Sequence, residues 1–411
     1  MASLGTDHPV AARPAPLPRT YLVWLAATQA SLLGDAALYF ALGWAATAHG
    51  GSTAALVLTA VMLPRALFLL LGGAVGDRFG ARRVLIFGDA AMLVTTLGLA
   101  VATYRFGTPV WLLVTIAALI GVVDAFHLPA TGSMPRRLVG SAQLPRALAL
   151  RQAGGQVAAL LGAPLGAVLI ASAGAPGAAL LDAGTFAIVL VVLVCVRPAF
   201  EVERAPRDER LVTGAVAGVK LAFADPILRP ALLLTAVAAG FLLPVVSLLN
   251  PLLTRRNGWD AGAAGLVAGG QSLGMIAVAL LITRRGQVRR TGVGAALGLC
   301  VAAVGIAGMA LAPTVAVAVI AGVVLGGGSG VFACHIGPLV LTGVPDTHLS
   351  RMQTLLTLVQ SVALLPANNV LGALADGTGP TTATALCAAA IGAAGVAGLL
   401  NSPMRRVLRP E

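Results

Sequence analysis

Long apolar runs separated by short polar turns make up most of this chain. A helix of about 20 apolar residues crosses a hydrocarbon core about 30 Å thick, because each helical residue rises about 1.5 Å. The pattern predicts twelve such runs, numbered here as spans 1 to 12: 21–48, 52–75, 84–104, 109–132, 147–173, 177–196, 230–254, 261–283, 291–312, 313–343, 352–375 and 379–402. We therefore expect an all-α membrane protein with twelve transmembrane helices.

The apolar pattern breaks once, between Arg197 and Arg229, where mixed charges replace it. Apolar residues in the second part of this segment recur on one helical face, which predicts a helix lying on the membrane surface. These are Val212, Val216, Val219 and Phe223. The predicted organisation is a cytoplasmic tail (1–20), a six-helix bundle (21–196), a cytoplasmic linker (197–229), a second six-helix bundle (230–402) and a cytoplasmic tail (403–411).

Short repeats suggest that the two bundles are pseudo-symmetric. The string Pro16-x-x-Arg19 precedes span 1, and Pro226-x-x-Arg229 precedes span 7. Leu144-Pro145-Arg146 precedes span 5 in the same way that Leu349-Ser350-Arg351 precedes span 11. Both matches fall at equivalent places in each half, as parallel transporter repeats require.

The basic residues lie almost entirely on one side of the predicted membrane. The net charge is +12, which in a soluble protein would suggest a nucleic-acid partner. If the N-terminus is inside, however, the outer loops hold only Arg105, Arg255 and Arg256 of the 27 Lys and Arg residues. This asymmetry follows the positive-inside rule and places both termini in the cytoplasm. The charge thus predicts orientation, and no nucleic-acid partner is expected.

Span 1 has an alternative interpretation as a secretory signal peptide. It follows Arg13 and Arg19, and Ala45-Ala46-Thr47-Ala48 resembles a cleavage site. The apolar run is longer than the usual signal core, so we interpret it as a retained span.

The turn between spans 2 and 3 concentrates charge between two apolar runs. It reads G-G-A-V-G-D-R-F-G-A-R-R from Gly72 to Arg83. This string resembles the signature of the major facilitator superfamily, which has Gly, then Asp-Arg, then Gly, then two basic residues. The matching residues are Gly73, Asp77, Arg78, Gly80, Arg82 and Arg83. A generic positive-inside turn is the alternative explanation of this motif.

Within that superfamily the chain resembles bacterial drug:proton antiporters of the macrolide-efflux and enterobactin-exporter type. The resemblance rests on Ser31–Asp35, on the signature turn, on Phe126–Ala130 and on Asp225-Pro226. Span 5 departs from the antiporter string Gly-Pro-x-x-Gly-Gly, because it reads Gly-Ala-Pro-Leu-Gly-Ala from Gly162. The loop between spans 8 and 9 keeps its arginines but lacks the aspartate of the signature.

The resemblance implies a secondary transporter in the bacterial plasma membrane that exports an amphipathic drug or metabolite by proton antiport with alternating access. Its expected partners are a small-molecule substrate, protons and the lipid bilayer, and we expect a monomer. No cofactor, metal site or enzymatic activity is expected, because no nucleotide-binding, metal-ligand or nucleophile motif is present. The alternatives are a proton-independent facilitator or uptake carrier, and a non-transporting, transporter-like sensor.

Ionisable residues inside the spans are the candidates for function, because each costs about 2.5 to 3.5 kcal/mol on insertion scales. Asp35 lies 14 residues after Tyr21, deep inside span 1. In this superfamily spans 1, 4, 7 and 10 line the central cavity, so the resemblance places Asp35 on its wall. A low-dielectric environment disfavours the charged carboxylate, which suits a group that takes up and releases a proton.

The remaining candidates for proton coupling or for the cavity are Asp124, His127, Arg65, Asn250 and His335. Asp124 and His127 are three residues apart on one face of span 4 and would form a proton relay or simply satisfy each other. Arg65 requires a counter-ion, for which Asp35 is the first candidate and Asp124 the second. For His335, a satisfied core histidine is favoured over a functional one.

Two further acidic residues in the spans and the signature turn have different expected roles. Asp89 and Asp182 are expected to be interfacial. The resemblance implies that Asp77 faces the cytoplasmic start of span 11 and acts as a gate latch, where a helix N-terminus favours a carboxylate. Gly73 is expected to allow close helix approach. Arg82 and Arg83 are either part of the gate or anchors of topology.

Overall fold

The computed structural model describes residues 16–197, 200, 228–286, 288–341 and 349–406, and every regular element in these ranges is helical. The first four spans are Arg19–Thr47, Gly51–Phe79, Ala81–Phe106 and Val110–Leu138, and Leu144–Cys195 contains spans 5 and 6. Span 7 comprises Leu228–Phe241, Val245–Leu249 and Asn250–Arg256. Spans 8 to 12 are Ala261–Arg285, Thr291–Ala310, Val315–Leu341, Leu349–Thr378 and Pro380–Leu400. The short helices Ser141–Gln143 and Ser402–Arg406 flank spans 5 and 12.

The span count agrees with the prediction. Among the described residues, 11 helical stretches are long and apolar enough to cross a membrane. One of them, Ser141–Cys195, is 55 residues long and contains two spans. Gly174 interrupts it with a φ of 65° and a ψ of −168°, a conformation that glycine adopts without the steric cost of a side chain. The chain is therefore a multi-pass membrane protein, with twelve spans among its described residues.

Span 7 is less regular than the sequence pattern predicts. Its middle, Val245–Leu249, is a π-helical turn, flanked by Pro244 and Pro251. Proline removes a backbone donor, and π turns inside helices are often found at functional sites. The predicted surface helix at 212–223 and the outer parts of both tails lie outside the described residues.

Small residues bring the spans together within each half of the chain. A side chain on Gly72 would collide with the Ala125 carbonyl, so spans 2 and 4 touch through their backbones. In the second half, Gly326 lies against the Gln271 carbonyl and Gly328 against Ala302. Gly326 and Gly328 of span 10 therefore serve close helix packing.

The two halves meet at the ends of the helices remote from the turn at Gly80. Asp376 of span 11 accepts hydrogen bonds from the backbone N–H groups of Gly51 (2.5 Å) and Ser52 (2.8 Å) at the start of span 2. Arg255 of span 7 stacks over the Trp44 ring at 4.3 Å and donates to Oγ1 of Thr47 at 2.6 Å. These six residues are called the distal clasp below.

Candidate functional site

A partly buried ion pair crosses the middle of the first half. Nη1 of Arg65 in span 2 lies 3.5 Å from Oδ2 of Asp124 in span 4. The same oxygen accepts a hydrogen bond of 2.8 Å from the hydroxyl of Tyr39 in span 1. Asp124 is thus the counter-ion of Arg65, and the expectation that Asp35 would take this role first is wrong. The Arg65 side chain is still 34% exposed, which for a guanidinium at this depth requires a polar space beside it.

Asp35 lies one helical turn before Tyr39 on span 1 and is partly buried. Among the described residues, none makes a hydrogen bond or ion pair with its carboxylate. The charges that act on it come from other acids, namely Asp182, Asp124 and Asp89. Asp35 is therefore a carboxyl group in the middle of the membrane that the surrounding charges do not stabilise in its ionised form.

The position of His127 on span 4 suggested that it pairs with Asp124, but it does not. Its Nε2 lies 2.8 Å from Oδ1 of Asp89 in span 3, and its Nδ1 lies 3.2 Å from the hydroxyl of Thr131. The expected Asp124–His127 relay is therefore replaced by two separate pairs. The reason is rotation: span 4 directs Asp124 toward spans 1 and 2 and His127 toward span 3.

Asp89 and Asp182 are fully buried, which corrects the prediction that they are interfacial. Asp89 is held by His127, whereas the Oδ2 atoms of both residues lack a hydrogen-bond partner in the described structure. Four carboxylates, from spans 1, 3, 4 and 6, thus influence one another inside this half of the molecule.

The candidates from the second half form hydrogen bonds with backbone groups. Nδ2 of Asn250 donates to the Ala264 carbonyl at 3.0 Å, and this side chain is buried. His335 is buried, with Nδ1 2.7 Å from the Val331 carbonyl and Nε2 accepting from the Val288 N–H at 3.1 Å. Both nitrogens of His335 are therefore occupied by backbone groups, as expected of a core histidine.

The signature residues whose side chains are described contact only described residues of the first half of the chain. Arg82 donates to the carbonyls of Leu193, Val194 and Val196, at the C-terminal end of span 6, which favours a cation. Gly80 has a φ of 87° and forms the turn between spans 2 and 3. Gly73 has open space beside it, so the glycine that allows close approach is Gly72 instead.

Arg78 and Arg83 are exposed. Arg78 lies over the Phe79 ring at 5.5 Å. Arg83 lines an apolar groove of about 490 Å³ between spans 2, 3 and 4, together with Phe79, Phe87 and Phe126. The side chains of Asp77 and of the start of span 11 lie outside the described residues, so the latch stays a prediction.

This arrangement is suited to holding and moving protons. Among the described residues, no group of His, Cys, Asp and Glu could hold a metal ion. Carboxyl groups, a histidine and a tyrosine at mid-depth of the spans are groups that bind and release protons. Sequence analysis missed Tyr39, although it lies four residues after Asp35 and such positions share one helical face.

The chain matches the family model "Major Facilitator Superfamily" over residues 24–368. It is 27% identical over 267 residues to the multidrug efflux pump Tap of Mycolicibacterium fortuitum, which covers 61% of this chain. The match spans 65% of the length of that relative. Two solved structures share the fold: the nucleoside transporter NupG (TM-score 0.73, 12% identity, 95% of this chain and 100% of that chain) and a bacterial homologue of the iron transporter ferroportin (TM-score 0.71, 16% identity, 94% and 99%). The chain therefore belongs to the Major Facilitator Superfamily.

Proposed function

We propose that this protein exports an amphipathic small molecule in exchange for protons, by alternating access between its two halves. The observation that carries the proposal is Asp35. It is a partly exposed carboxyl group near the middle of span 1, and no described residue neutralises it. The neighbouring Arg65 charge is already compensated by Asp124. Asp35 is thereby left free to take up or release a proton when its surroundings change during alternating access.

The charge balance supports a cationic, amphipathic substrate. Four carboxylates influence this region, and the described basic groups among them are Arg65 and His127. A bound organic cation would compensate Asp35 as a proton does, so the two ligands would compete for one carboxylate. This competition is the physical basis of antiport. The relatives named as multidrug efflux pumps support a broad, apolar substrate class.

The distal clasp supports alternating access. It joins span 2 to span 11 and span 1 to span 7 at one end of the molecule. A structure closed at that end loads its substrate from the other end. The distribution of the basic residues supports a cytoplasmic location for the other end in a bacterial cell, with both termini inside. In this orientation the present conformation would receive substrate from the cytoplasm, as an exporter requires. Within the same cycle, Asp77 is proposed as the gate latch at the cytoplasmic end.

The experiment is a flux assay in proteoliposomes with ethidium, a fluorescent organic cation, within a panel of cationic and neutral amphipaths. Wild-type protein should accumulate ethidium against its gradient when a pH gradient is imposed, and should also catalyse counterflow exchange without one. Gradient-independent flux would instead identify a facilitator. Absence of flux for every member of the panel would overturn the proposed function.

Asp35→Asn is the decisive variant in this assay. The amide resembles the protonated acid in shape but neither releases a proton nor compensates a cation. Gradient-driven accumulation should therefore be lost and ethidium counterflow weakened, while counterflow of the neutral amphipaths in the panel persists. Asp124→Asn serves as the comparison, because Asp124 is held by Arg65 and Tyr39. Full gradient-driven accumulation by folded Asp35→Asn protein would remove Asp35 from the mechanism. Selective failure of Asp124→Asn would move the coupling role to span 4.

A further inference from the structure

A second carboxyl group lies against span 1 at Gly34, the residue before Asp35, although it is far away in sequence. Asp182 of span 6 is fully buried, and its Oδ2 atom has no hydrogen-bond partner in the described structure. Its Oδ1 atom is 3.5 Å from the hydroxyl of Thr185, which instead donates at 2.7 Å to the Asp182 backbone carbonyl. The carboxyl group therefore receives no strong hydrogen bond from its own helix.

Asp182 faces span 1 at the level of the candidate site. A Cβ atom on Gly34 would lie 2.7 Å from Oδ1 of Asp182 and 2.6 Å from Oγ1 of Thr185. Only a residue without a side chain leaves room for the carboxyl group against the span 1 backbone. This contact places Asp182 at the depth of Gly34, which lies near the middle of span 1. Because Gly34 immediately precedes Asp35, Asp182 lies at the same depth as the proposed coupling residue.

The basic groups in this region pair with other acids and leave Asp35 and Asp182 without a partner of opposite charge. Arg65 of span 2 and the Tyr39 hydroxyl of span 1 hold Asp124 of span 4. His127 of span 4 holds Asp89 of span 3. The charge of Asp182 acts on Asp35, and neither acid has a cationic partner in the described structure. Two neighbouring carboxyl groups in a low dielectric do not both ionise, so such a pair retains a proton.

We propose that Asp182 is a second proton-carrying residue of the transporter and forms with Asp35 a carboxyl pair that holds one proton. Asp35 is partly exposed and exchanges protons with the aqueous side, whereas Asp182 is buried and stores the proton. When the proton passes from the Asp35 carboxyl group to the Asp182 carboxylate, Asp35 becomes ionised and free to bind a cation. This inference rests on the proposed function.

The test compares Asp182→Asn with wild type in two measurements. Asn keeps the size of the side chain, so a purely structural Asp182 would tolerate the change. We expect folded Asp182→Asn protein to lose gradient-driven ethidium accumulation and to retain counterflow exchange. The second measurement is infrared spectroscopy of the purified protein in lipid, which detects the carbonyl stretch of protonated carboxyl groups. Asp182→Asn should lose the component that wild type retains at neutral pH.

A pair of glycine variants guards against a folding defect in Asp182→Asn. Gly34→Ala pushes a methyl group into the Asp182 carboxyl group and should impair gradient-driven accumulation. Gly43→Ala lies on the same span with its nearest atom, the Ser247 carbonyl oxygen, 3.8 Å away, and should behave as wild type.

The outcomes separate the two proposals. Full gradient-driven accumulation by Asp182→Asn, with wild type also driven by the gradient, would overturn this inference and leave the proposed function intact. If wild type moves ethidium without responding to the gradient, both fail. An infrared spectrum that Asp182→Asn leaves unchanged would show that Asp182 holds no proton and would overturn the inference.

Discussion

At the scale of single residues, the Arg65–Asp124 pair shows why charges in the middle of a membrane come in sets. Removing one partner leaves an unpaired charge in low dielectric, whereas removing both does not. We expect Arg65→Ala to lower the free energy of unfolding by about 1 to 3 kcal/mol, less than for a fully buried pair because the side chain is partly exposed. Thermal unfolding in detergent measures this loss.

The double variant Arg65→Ala/Asp124→Ala tests the pairing itself. It should be more stable than the sum of the two single variants predicts, because neither charge is then left alone. Strictly additive losses would show that the two side chains do not interact in the membrane-embedded protein.

Residue types were predictable here, but partners were not. Composition and depth identify Asp35, Arg65, Asp124 and His127 as unusual. The choice of Asp124 by Arg65, and of Asp89 by His127, depends on how spans 2, 3 and 4 are rotated about their axes. A sequence gives the angle between residues on one helix but not the angle between two helices. Asp182 was misassigned for the same reason, since its partner surface is Gly34 on another span.

At the scale of helices, the distal clasp uses Asp376 as an N-terminal cap donated by the opposite half. Asp376→Ala should leave both halves folded but weaken their closure by about 1 kcal/mol, which is about fivefold in population. We expect faster labelling of a cysteine at Thr59, behind the clasp, by a membrane-impermeant maleimide applied from the distal side. All native cysteines are replaced in this experiment.

Asp260→Ala is the matched control for the clasp. Asp260 also caps a helix N-terminus, through a 2.9 Å bond from the Ala263 N–H, but it does so within its own span. It should therefore cost similar stability without changing the labelling at position 59. Equal acceleration by both variants would indicate general loosening rather than opening of the clasp.

The lengths of the helices were largely predictable, and their irregularities only in part. Apolar runs and turn residues located the spans, including the boundary near Gly174 between spans 5 and 6. The π turn in span 7 was not foreseen, because one extra residue in a turn hardly alters an apolar pattern. Span 4 extends to Leu138, beyond the predicted 132, since its polar end continues as helix past the apolar run.

At the scale of the whole molecule, the orientation in the membrane remains a prediction that labelling can test. Single cysteines at Gly286 and Asn257, introduced into a cysteine-free protein, lie at opposite ends of span 8. We expect the cysteine at position 257 to react with impermeant maleimide in intact cells, and that at position 286 only after the cells are opened. The reverse pattern would invert the proposed orientation and, with it, the direction of loading.

The contact between Gly51 and Gly372 has an electrical consequence. A Cβ atom on Gly372 would lie 2.6 Å from the Gly51 carbonyl oxygen and 2.7 Å from the Ala55 Cβ atom, so backbone meets backbone at this point. A contact this close has no room for a chain of water molecules. Without such a chain, protons have no path of hydrogen bonds along which to move through this point. The resting protein would then add little to the proton conductance of the membrane. If the protein exchanges protons as proposed, an idle transporter closed in this way would leave the cell's proton-motive force undiminished.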